Sequence, residues 1–198
     1  MIKNIHAIQI ILASSSPRRR ELLTQLGLNF LVMPSNEEEH YQSDTPEEIV
    51  KELALLKASS VAKSFALPLS NTLIIGADTI VVLDGEVLGK PTDKQDAIAM
   101  LTKLQGRTHQ VFTGVSLLMF EYNHQCKTNT FVACTKVFVN EMSLKEIQAY
   151  VESGEPMDKA GSYGIQGVFA KHIGRIEGDY SNVMGLPIAT LYEILKKI

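Results

Sequence analysis

Residues 12–23 read Leu12-Ala13-Ser14-Ser15-Ser16-Pro17-Arg18-Arg19-Arg20-Glu21-Leu22-Leu23, and the fold can be worked out from this stretch in both directions. An apolar run typical of a strand (Ile8 to Leu12) precedes it, and it begins a run typical of a helix (Arg18 to Leu26). Pro17 falls near the helix start, where its missing N–H costs nothing. A strand, a hydroxyl-rich turn and a helix N-terminus form an anion site, because free N–H groups and the helix dipole point outward.

The three arginines after Pro17 have two interpretations. Isolated charge runs are usually solvated faces, and a basic first helical turn can be one. However, cations at a helix N-terminus oppose the dipole and cost about 0.3–1 kcal/mol each when exposed. An anionic partner offsets that cost, and guanidinium forks suit phosphate oxygens. We interpret the stretch as the loop that holds the triphosphate of a nucleotide.

The composition suits one globular domain spanning residues 1–198, or two small lobes. Hydrophobic residues make up 45% of the chain and charged residues 21%, which is enough for an adequate core. The net charge of −3 gives no global attraction to nucleic acid polymers or membranes. Any phosphate chemistry must therefore rest on local basic clusters.

Other features predict a reducing, cytoplasmic setting. Residues 1–6 lack a signal-peptide core, and no apolar run approaches the ~20 residues that a membrane helix needs. Cys126 and Cys134 lie eight positions apart in a predicted strand, too far to pair with each other. The five histidines show no zinc spacing.

Strand and helix signals alternate along the chain, which predicts an α/β or α+β fold. Thr45-Pro46-Glu47-Glu48 and Ser143-Leu144-Lys145-Glu146 are candidate capping boxes, and Asp93 is a candidate helix cap. Leu83-Asp84-Gly85-Glu86 predicts a hairpin turn. A loop and a closing helix are expected over Asn182 to Ile198. The expected strands are Phe30 to Met33, Asn71 to Val82, Thr108 to Phe120 and Lys127 to Asn140.

Asp78 interrupts an otherwise apolar strand, Gly76-Ala77-Asp78-Thr79-Ile80-Val81-Val82. Burying a carboxylate there costs several kcal/mol unless it is paired or bound to metal. Asp78 is therefore a candidate Mg²⁺ ligand or proton acceptor. The alternative is an Asp that caps a turn or pairs with an Arg in the core.

Lys90 and Gln166 are the next candidates. Leu88-Gly89-Lys90-Pro91 presents a lysine from a short rigid turn, as a phosphate-binding lysine would be, although a surface lysine fits as well. Gln166 lies in the glycine-rich stretch 158–167, and its amide can donate to and accept from the edge of a base. Otherwise Gln166 bonds backbone in a structural loop.

Two further segments contain candidate site residues, one acidic and one basic. One member of the run Glu37-Glu38-Glu39 is a candidate metal ligand, although such runs are usually solvated. Lys57, on the second predicted helix, is by default a surface lysine. Small residues precede Pro187, where a second helix is expected to begin. The N-terminus of that helix can face a ligand; the alternative is an ordinary helix start with no ligand.

Taken together, five segments resemble the Maf family of nucleoside triphosphate pyrophosphatases over nearly the whole chain. Each segment is weakly specific, but the five in register are highly specific. They are Ala13-Ser14-Ser15-Ser16-Pro17-Arg18-Arg19, Gly76-Ala77-Asp78-Thr79, Gly89-Lys90-Pro91, Ala160-Gly161-Ser162-Tyr163-Gly164-Ile165-Gln166-Gly167 and Val183-Met184-Gly185-Leu186-Pro187.

The resemblance implies an elongated mixed-sheet α/β fold with a cleft between two lobes, related to the inosine triphosphate pyrophosphatases. It implies a cytoplasmic, metal-dependent hydrolase, commonly a homodimer, that releases a nucleoside monophosphate and pyrophosphate. Asp78 falls at the family's proton acceptor, and Arg18, Thr79 and Gln166 fall at its specificity determinants. Tyr163-Gly164-Ile165-Gln166-Gly167 resembles the branch that acts on dTTP and UTP.

One departure from the family pattern concerns the base pocket. The family usually carries a Gly-Ala pair shortly after Gln166-Gly167, whereas this chain has Val168-Phe169-Ala170. If this backbone borders the base pocket, we expect Phe169 to narrow the pocket or to add a stacking face.

A nucleoside triphosphate carries about four negative charges, and we expect different residues to bind its phosphates and the metal ion. We expect Arg18, Arg19, Lys57 and Lys90 to hold the β and γ phosphates, with Ser14 as a further substrate-binding residue. We expect Asp78 and Glu39 to hold Mg²⁺ or Mn²⁺. Whether Asp78 is the base or a metal ligand stays open.

Two other functions fit the same motifs. One is a nucleotide sensor that regulates a partner in cell division or septum formation, which is an older association of the family. The other is a house-cleaning enzyme for non-canonical purine triphosphates.

Overall fold

The computed structural model describes residues 7–198, and seven strands within that range form one sheet. Residues 1–6, which were expected to lack a signal peptide, lie outside the described range. The strands are β1 (Gln9–Leu12), β2 (Leu31–Val32), β3 (Thr72–Leu83), β4 (Glu86–Leu88), β5 (Thr108–Phe120), β6 (Cys126–Val139) and β7 (Ile173–Glu177). The helices are α1 (Pro17–Gln25), α2 (Pro46–Lys63), α3 (Lys94–Leu104), α4 (Leu144–Glu152), α5 (Tyr180–Met184) and α6 (Ile188–Leu195).

The sheet is mixed, in the order β2-β1-β3-β5-β6-β7, with β4 paired to β3. β1 runs parallel to both β2 and β3. β4 is antiparallel to β3, and β7 is antiparallel to β6. The parallel pairs connect through helices, as parallel strands require. The predicted mixed-sheet α/β fold class is confirmed.

Two compact units divide the chain. The first contains the residues up to Asp78 together with Thr113–Ala133 and Gly185–Ile198. The second contains Thr79–Phe112 and Cys134–Met184. The assignment of residues 1–198 to a single domain stays a prediction.

The core of the first unit packs α2 directly on the sheet. Buried side chains of β1, of the residue that follows it, and of α2, β3 and β5 form one cluster: Ile11, Ala13, Ala58, Val61, Ile74 and Leu118. Two glycines allow the close approach. A Cβ on Gly76 would lie 2.2 Å from the Ala54 carbonyl oxygen, and a Cβ on Gly114 would lie 2.2 Å from that of Val50. Any other residue at either position would push the helix off the sheet.

The core of the second unit contains a group of aromatic side chains. The Phe169 ring is fully buried, with centroids 4.9 Å from Tyr163, 5.1 Å from Tyr150 and 5.5 Å from His172. The edge of Tyr163 meets the His109 ring at 5.3 Å. These rings pack around the stretch that carries Gln166, and such contacts add to the stability that burial provides.

Local signals account for most element ends. Asp84 and Gly85 both have positive φ, as the predicted hairpin turn requires. Asp93 caps α3, and Ser143 forms the expected capping box with Glu146. The capping box predicted at Thr45 is wrong, because the Thr45 side chain makes no capping hydrogen bond. Pro46 nevertheless starts the helix as expected.

Two element boundaries differ from expectation. The strand expected over Phe30 to Met33 is only two residues long, Leu31–Val32. The helix α5 falls partly in a stretch that was expected to be a loop. Cys126 and Cys134 are both exposed on β6 and form no disulfide, which confirms that they do not pair with each other. Among residues 7–198, no helix is long and apolar enough to cross a bilayer.

Replacing Gly76 by alanine should destabilise the fold. The new methyl group would meet the Ala54 carbonyl at 2.2 Å and the Ala58 Cβ at 2.9 Å, so α2 must shift. We expect the free energy of unfolding in urea to fall by about 1–3 kcal/mol. Gly89→Ala is the matched control, because a Cβ at Gly89 meets nothing within 4 Å. Equal stabilities of the two variants would contradict the packing described.

Candidate active site

The loop from β1 into α1 is held together by its own hydroxyls. Ser16 caps the helix by accepting from the Arg19 N–H at 3.4 Å, and Ser14 Oγ accepts from the Ser16 N–H at 3.2 Å. Ser14 Oγ also accepts from Arg19 Nη1 at 3.2 Å. The first turn of α1 contains no acidic residue, so nothing there offsets the helix dipole or the arginines. The predicted strand, turn and helix start are confirmed, and their role as an anion site stays a prediction.

Arg19 is fixed by contacts to two segments of the first unit. Besides Ser14, its Nε donates to the Gly185 carbonyl oxygen at 2.8 Å. This bond connects the loop after β1 to the stretch before α6, which are two of the predicted motifs. Burial lowers the pKa of Arg19, and the charge of Asp78 opposes that effect. The guanidinium is therefore held in place close to a carboxylate.

Lys57 lies between two carboxylates. Its ammonium contacts Asp78 Oδ1, and it lies 2.8 Å from Glu39 Oε1. The side chains of Lys57 and Asp78 are 15% and 9% exposed, so this is a largely buried ion pair. The default interpretation of Lys57 as a surface lysine is wrong, because α2 lies so close to the sheet.

The geometry of the pair follows from the fold. Lys57 stands on α2 between Ala54 and Ala58, the two residues that approach Gly76. Asp78 is two positions beyond Gly76 on β3, and residues two apart on a strand share a face. Asp78 therefore points to the side covered by α2, where Lys57 meets it.

Only one member of the acidic run 37–39 is known to join this group. Glu39 contacts Lys57, whereas Glu38 lies 3.2 Å from His40, with both of these side chains largely exposed. Glu39 is thus the member of the run that contacts Lys57, and its role as a metal ligand stays a prediction. The first unit brings together Arg18, Arg19, Lys57, Glu39 and Asp78, because the charges of Arg18, Glu39 and Asp78 also act on Arg19.

These donors suit a hard divalent cation. No three His, Cys, Asp or Glu side chains cluster as a cage in the described part of the chain. Mg²⁺, however, is usually held by one or two carboxylates together with substrate phosphates. Asp78 and Glu39, which both reach the same lysine nitrogen, supply that pair. The residues present therefore fit the predicted metal ligands.

The second unit contains Thr79, Lys90 and Gln166. Thr79 is half-buried directly after Asp78, and Lys90 is exposed in the turn after β4. The Gly161 N–H donates to the Gly89 carbonyl oxygen at 3.0 Å, which ties the Lys90 turn to the glycine-rich stretch. Gly161 has φ +65°, and a Cβ there would meet the Val81 side chain at 2.9 Å. Two of the predicted motifs are thus in direct contact.

Gln166 stands exposed at the tip of a turn. The Gly167 N–H donates to the Gly164 carbonyl oxygen at 3.2 Å and closes the turn around Ile165 and Gln166. Within residues 7–198 the structure shows no hydrogen bond to the Gln166 amide. The alternative in which Gln166 bonds backbone is therefore not what the structure shows.

Phe169 does not have the position expected of a base-stacking residue. Its ring is fully buried among Tyr150, Tyr163 and His172, so it offers no exposed face. A large apolar side chain after a glycine-rich turn contributes more free energy in the core than on the surface. The substitution at Phe169 thus fills the interior of the second unit.

Sequence reasoning missed the polar groups buried beneath the Gln166 turn. His109 Nε2 lies 2.8 Å from the Tyr163 hydroxyl, and burial lowers the pKa of His109 to about 4. Burial also raises the pKa of Tyr163. Both groups are neutral near pH 7. The only sequence signal was a lone histidine in an apolar strand.

Two solved structures share this fold. The Ham1 protein of Staphylococcus aureus superposes with a TM-score of 0.51 at 16% identity, covering 96% of this chain and 98% of that one. A HAM1 protein from Coxiella burnetii gives 0.51 at 17% identity, covering 96% and 100%. The chain therefore has the fold of these Ham1 proteins.

Sequence comparison identifies the family. The model of the Maf-like proteins matches residues 9–198, and the chain belongs to the Maf family. A relative from Lachnoclostridium phytofermentans, named dTTP/UTP pyrophosphatase, is 48% identical over 96% of this chain and 94% of its own length. A relative of the same name from Symbiobacterium thermophilum is 48% identical over 94% and 92%.

The buried His109 should make stability depend on pH. Its pKa is about 4 when folded and near 6.5 when unfolded, so the unfolded chain binds the extra proton between these values. The contribution of His109 to the free energy of unfolding is therefore fully present above about pH 6.5 and is lost as the pH is lowered towards 4, by up to about 1.4 kcal/mol per pH unit. Urea unfolding from pH 7 to 5 measures this slope.

A His109→Leu variant should lose this part of the slope, whatever its stability at pH 7. His40→Gln is the control, because His40 is an exposed histidine. If wild type and His109→Leu show the same dependence over this range, His109 is not buried as a neutral group.

Proposed function

We propose that this protein is a nucleoside triphosphate pyrophosphatase that hydrolyses dTTP and UTP to the monophosphate and pyrophosphate. The observation that carries the proposal is the buried Lys57, which contacts both Asp78 and Glu39 beside the arginines of α1. The site holds carboxylates and cationic side chains close together. Phosphoanhydride hydrolysis needs both, because it requires a proton acceptor and cationic groups that bind the phosphates. The names of the family relatives support the choice of reaction.

The proposed reaction is attack of water on the α-phosphorus. The water oxygen forms the new bond to phosphorus, and the bond from phosphorus to the α–β bridging oxygen breaks. The electron pair leaves with pyrophosphate, and the water proton passes to the Asp78 carboxylate. The contact with Lys57 holds Asp78 in one orientation, which is what a general base requires.

The cationic residues hold the charge of the substrate. We assign Arg18, Arg19, Lys57 and Lys90 to the β and γ phosphates, where they stabilise the leaving pyrophosphate. Arg19 is already fixed by Ser14 and the Gly185 carbonyl, so little reorganisation is needed when a phosphate binds. Ser14 belongs to the same phosphate-binding loop.

Asp78 and Glu39 would hold a Mg²⁺ or Mn²⁺ ion. When bound, the ion would neutralise phosphate charge and polarise the α-phosphate. Lys57 contacts both carboxylates and keeps them together. In this proposal Asp78 serves both as proton acceptor and as metal ligand.

Arg18, Thr79 and Gln166 set the choice of base. The exposed Gln166 amide has an NH₂ group that can donate to O4 and an oxygen that can accept from N3–H, which matches the edge of thymine and uracil. A cytoplasmic homodimer belongs to the same proposal. Light scattering after gel filtration would test it by giving twice the mass of the chain.

The direct test of function is a panel of nucleoside triphosphates with Mg²⁺, assaying pyrophosphate and orthophosphate separately. We expect pyrophosphate to be released fastest from dTTP and UTP. Faster release from inosine or xanthosine triphosphate would indicate a house-cleaning enzyme instead. Tight binding with no pyrophosphate under Mg²⁺, Mn²⁺ or Co²⁺ would overturn the enzyme proposal and favour a nucleotide sensor.

Asp78→Asn and Lys90→Ala should each lower kcat by about 10²–10³, because each removes a charged group from the proposed site. The fold should stay intact in both, because an asparagine oxygen can still accept from Lys57, which also keeps its ion pair with Glu39, and Lys90 is exposed. Pyrophosphate release and circular dichroism measure the two effects. Asp84→Asn and Lys94→Ala are matched controls, since these residues form exposed ion pairs with Arg107 and Glu152. Either test variant would contradict its assigned role by retaining more than half of wild-type activity.

Gln166→Glu should change the preference among bases. A carboxylate only accepts, so it would face the thymine O4 without a donor, whereas guanine presents N–H donors. We expect kcat/KM for dTTP and UTP to fall more than that for GTP. Gln148→Glu, an exposed position on α4, is the control. Equal losses on dTTP, UTP, CTP and GTP would remove Gln166 from base recognition.

A further inference from the structure

Two side chains, Tyr150 and Glu155, form hydrogen bonds with the backbone at both ends of the turn that carries Gln166. The Tyr150 hydroxyl accepts from the Gly164 N–H at 3.2 Å and donates to Glu155 Oε1 at 3.0 Å. Glu155 Oε2 accepts from the Val168 N–H at 3.0 Å. The two backbone groups thus flank Gln166, two residues before it and two residues after it.

The fit beneath the turn is tight. A Cβ on Gly167 would lie 2.0 Å from Glu155 Oε1, and a Cβ on Gly164 would lie 2.8 Å from Lys159 Cε. Glycine at these positions lets the backbone lie against Glu155 and Lys159. The Lys159 ammonium in turn donates to the Glu155 carbonyl at 2.5 Å. The position of the turn is therefore set by the side chains beneath it.

These side chains are themselves anchored. Tyr150 lies near the end of α4, is 3% exposed, and packs its ring on the buried Phe169 at 5.1 Å. Glu155 begins the short 3-10 helix that follows α4 after Gly154, a glycine with φ 76°. A hydrogen bond to an ionised group is stronger than one between neutral groups. The Glu155 carboxylate makes two such bonds, one to Tyr150 and one to the turn.

We propose that Tyr150 and Glu155 are positioning residues that fix the Gln166 turn so that its amide meets the edge of the base. The proposal rests on the proposed function, in which Gln166 recognises the base. Neither residue touches the substrate. They act through the backbone on both sides of Gln166, and the amide itself is left for the ligand.

The test compares Tyr150→Phe and Glu155→Gln with the wild-type enzyme. Phenylalanine keeps the ring but loses both bonds of the hydroxyl, and glutamine has a single acceptor oxygen for two donors. We expect the ratio of kcat/KM for dTTP over dGTP to fall about tenfold, mainly through a higher KM for dTTP, with a small change in kcat. Glu152→Gln and Tyr122→Phe are matched controls at exposed positions, and both should keep the wild-type ratio.

A double-mutant cycle separates positioning from a merely structural role. In a Gln166→Ala background, the effect of Glu155→Gln on the dTTP to dGTP ratio should disappear, because the residue it positions is gone. An equal loss of kcat/KM on both nucleotides, or an undiminished loss of selectivity in that background, would overturn the proposal. If Tyr150→Phe unfolds, Glu155→Asp provides the same cycle.

Wild-type activity tests the proposed function independently of this network. If the wild-type protein releases no pyrophosphate, the proposed function fails, and the ratio is then measured as dissociation constants for dTTP and dGTP. A tenfold loss of binding selectivity in Glu155→Gln would still support positioning of Gln166, and an unchanged ratio would overturn it.

Discussion

The close approach of α2 to the sheet is the constraint on which the site in the first unit depends. Gly76 and Gly114 lack side chains, so the backbone of α2 lies directly on β3 and β5. That contact brings Lys57 to Asp78 in a largely buried environment. With a methyl group at Gly76 the helix would move outward, and the ion pair would open to water.

The pair has a cost in free energy that a structural role alone does not explain. Replacing a buried ion pair by apolar residues is often neutral or stabilising, while removing one partner strands a buried charge. The structure nevertheless places Lys57 between two carboxylates and sets Arg19 beside Asp78. An arrangement of this kind is consistent with a site that must hold phosphates and accept a proton in a fixed place.

The sequence predicted what local chemistry determines. The β1 loop and α1 follow from Pro17 and the hydroxyls, and the hairpin follows from Asp84 and Gly85. Tertiary contacts determine the rest. Thr45 resembles a cap but makes no capping bond, and the five-residue α5 is too short to show helical periodicity.

In the candidate site, too, the sequence identifies some residues, whereas only tertiary contacts identify the others. Asp78 is recognisable because a carboxylate in an apolar strand needs a partner, but no sequence pattern identifies that partner as Lys57, 21 residues earlier. Glu39 is indistinguishable from its acidic neighbours until the fold brings it to Lys57. Tyr150 and Glu155 bond to a turn 13 or 14 residues away, and Phe169 fills a core that only the fold defines.

In the proposed reaction, water attacks the α-phosphorus while the basic residues hold the leaving pyrophosphate. Hydrolysis of dTTP in H₂¹⁸O, followed by mass spectrometry of both products, tests this reaction most directly. We expect one ¹⁸O atom in the thymidine monophosphate and none in the pyrophosphate. Label in the pyrophosphate, or release of labelled orthophosphate, would contradict it.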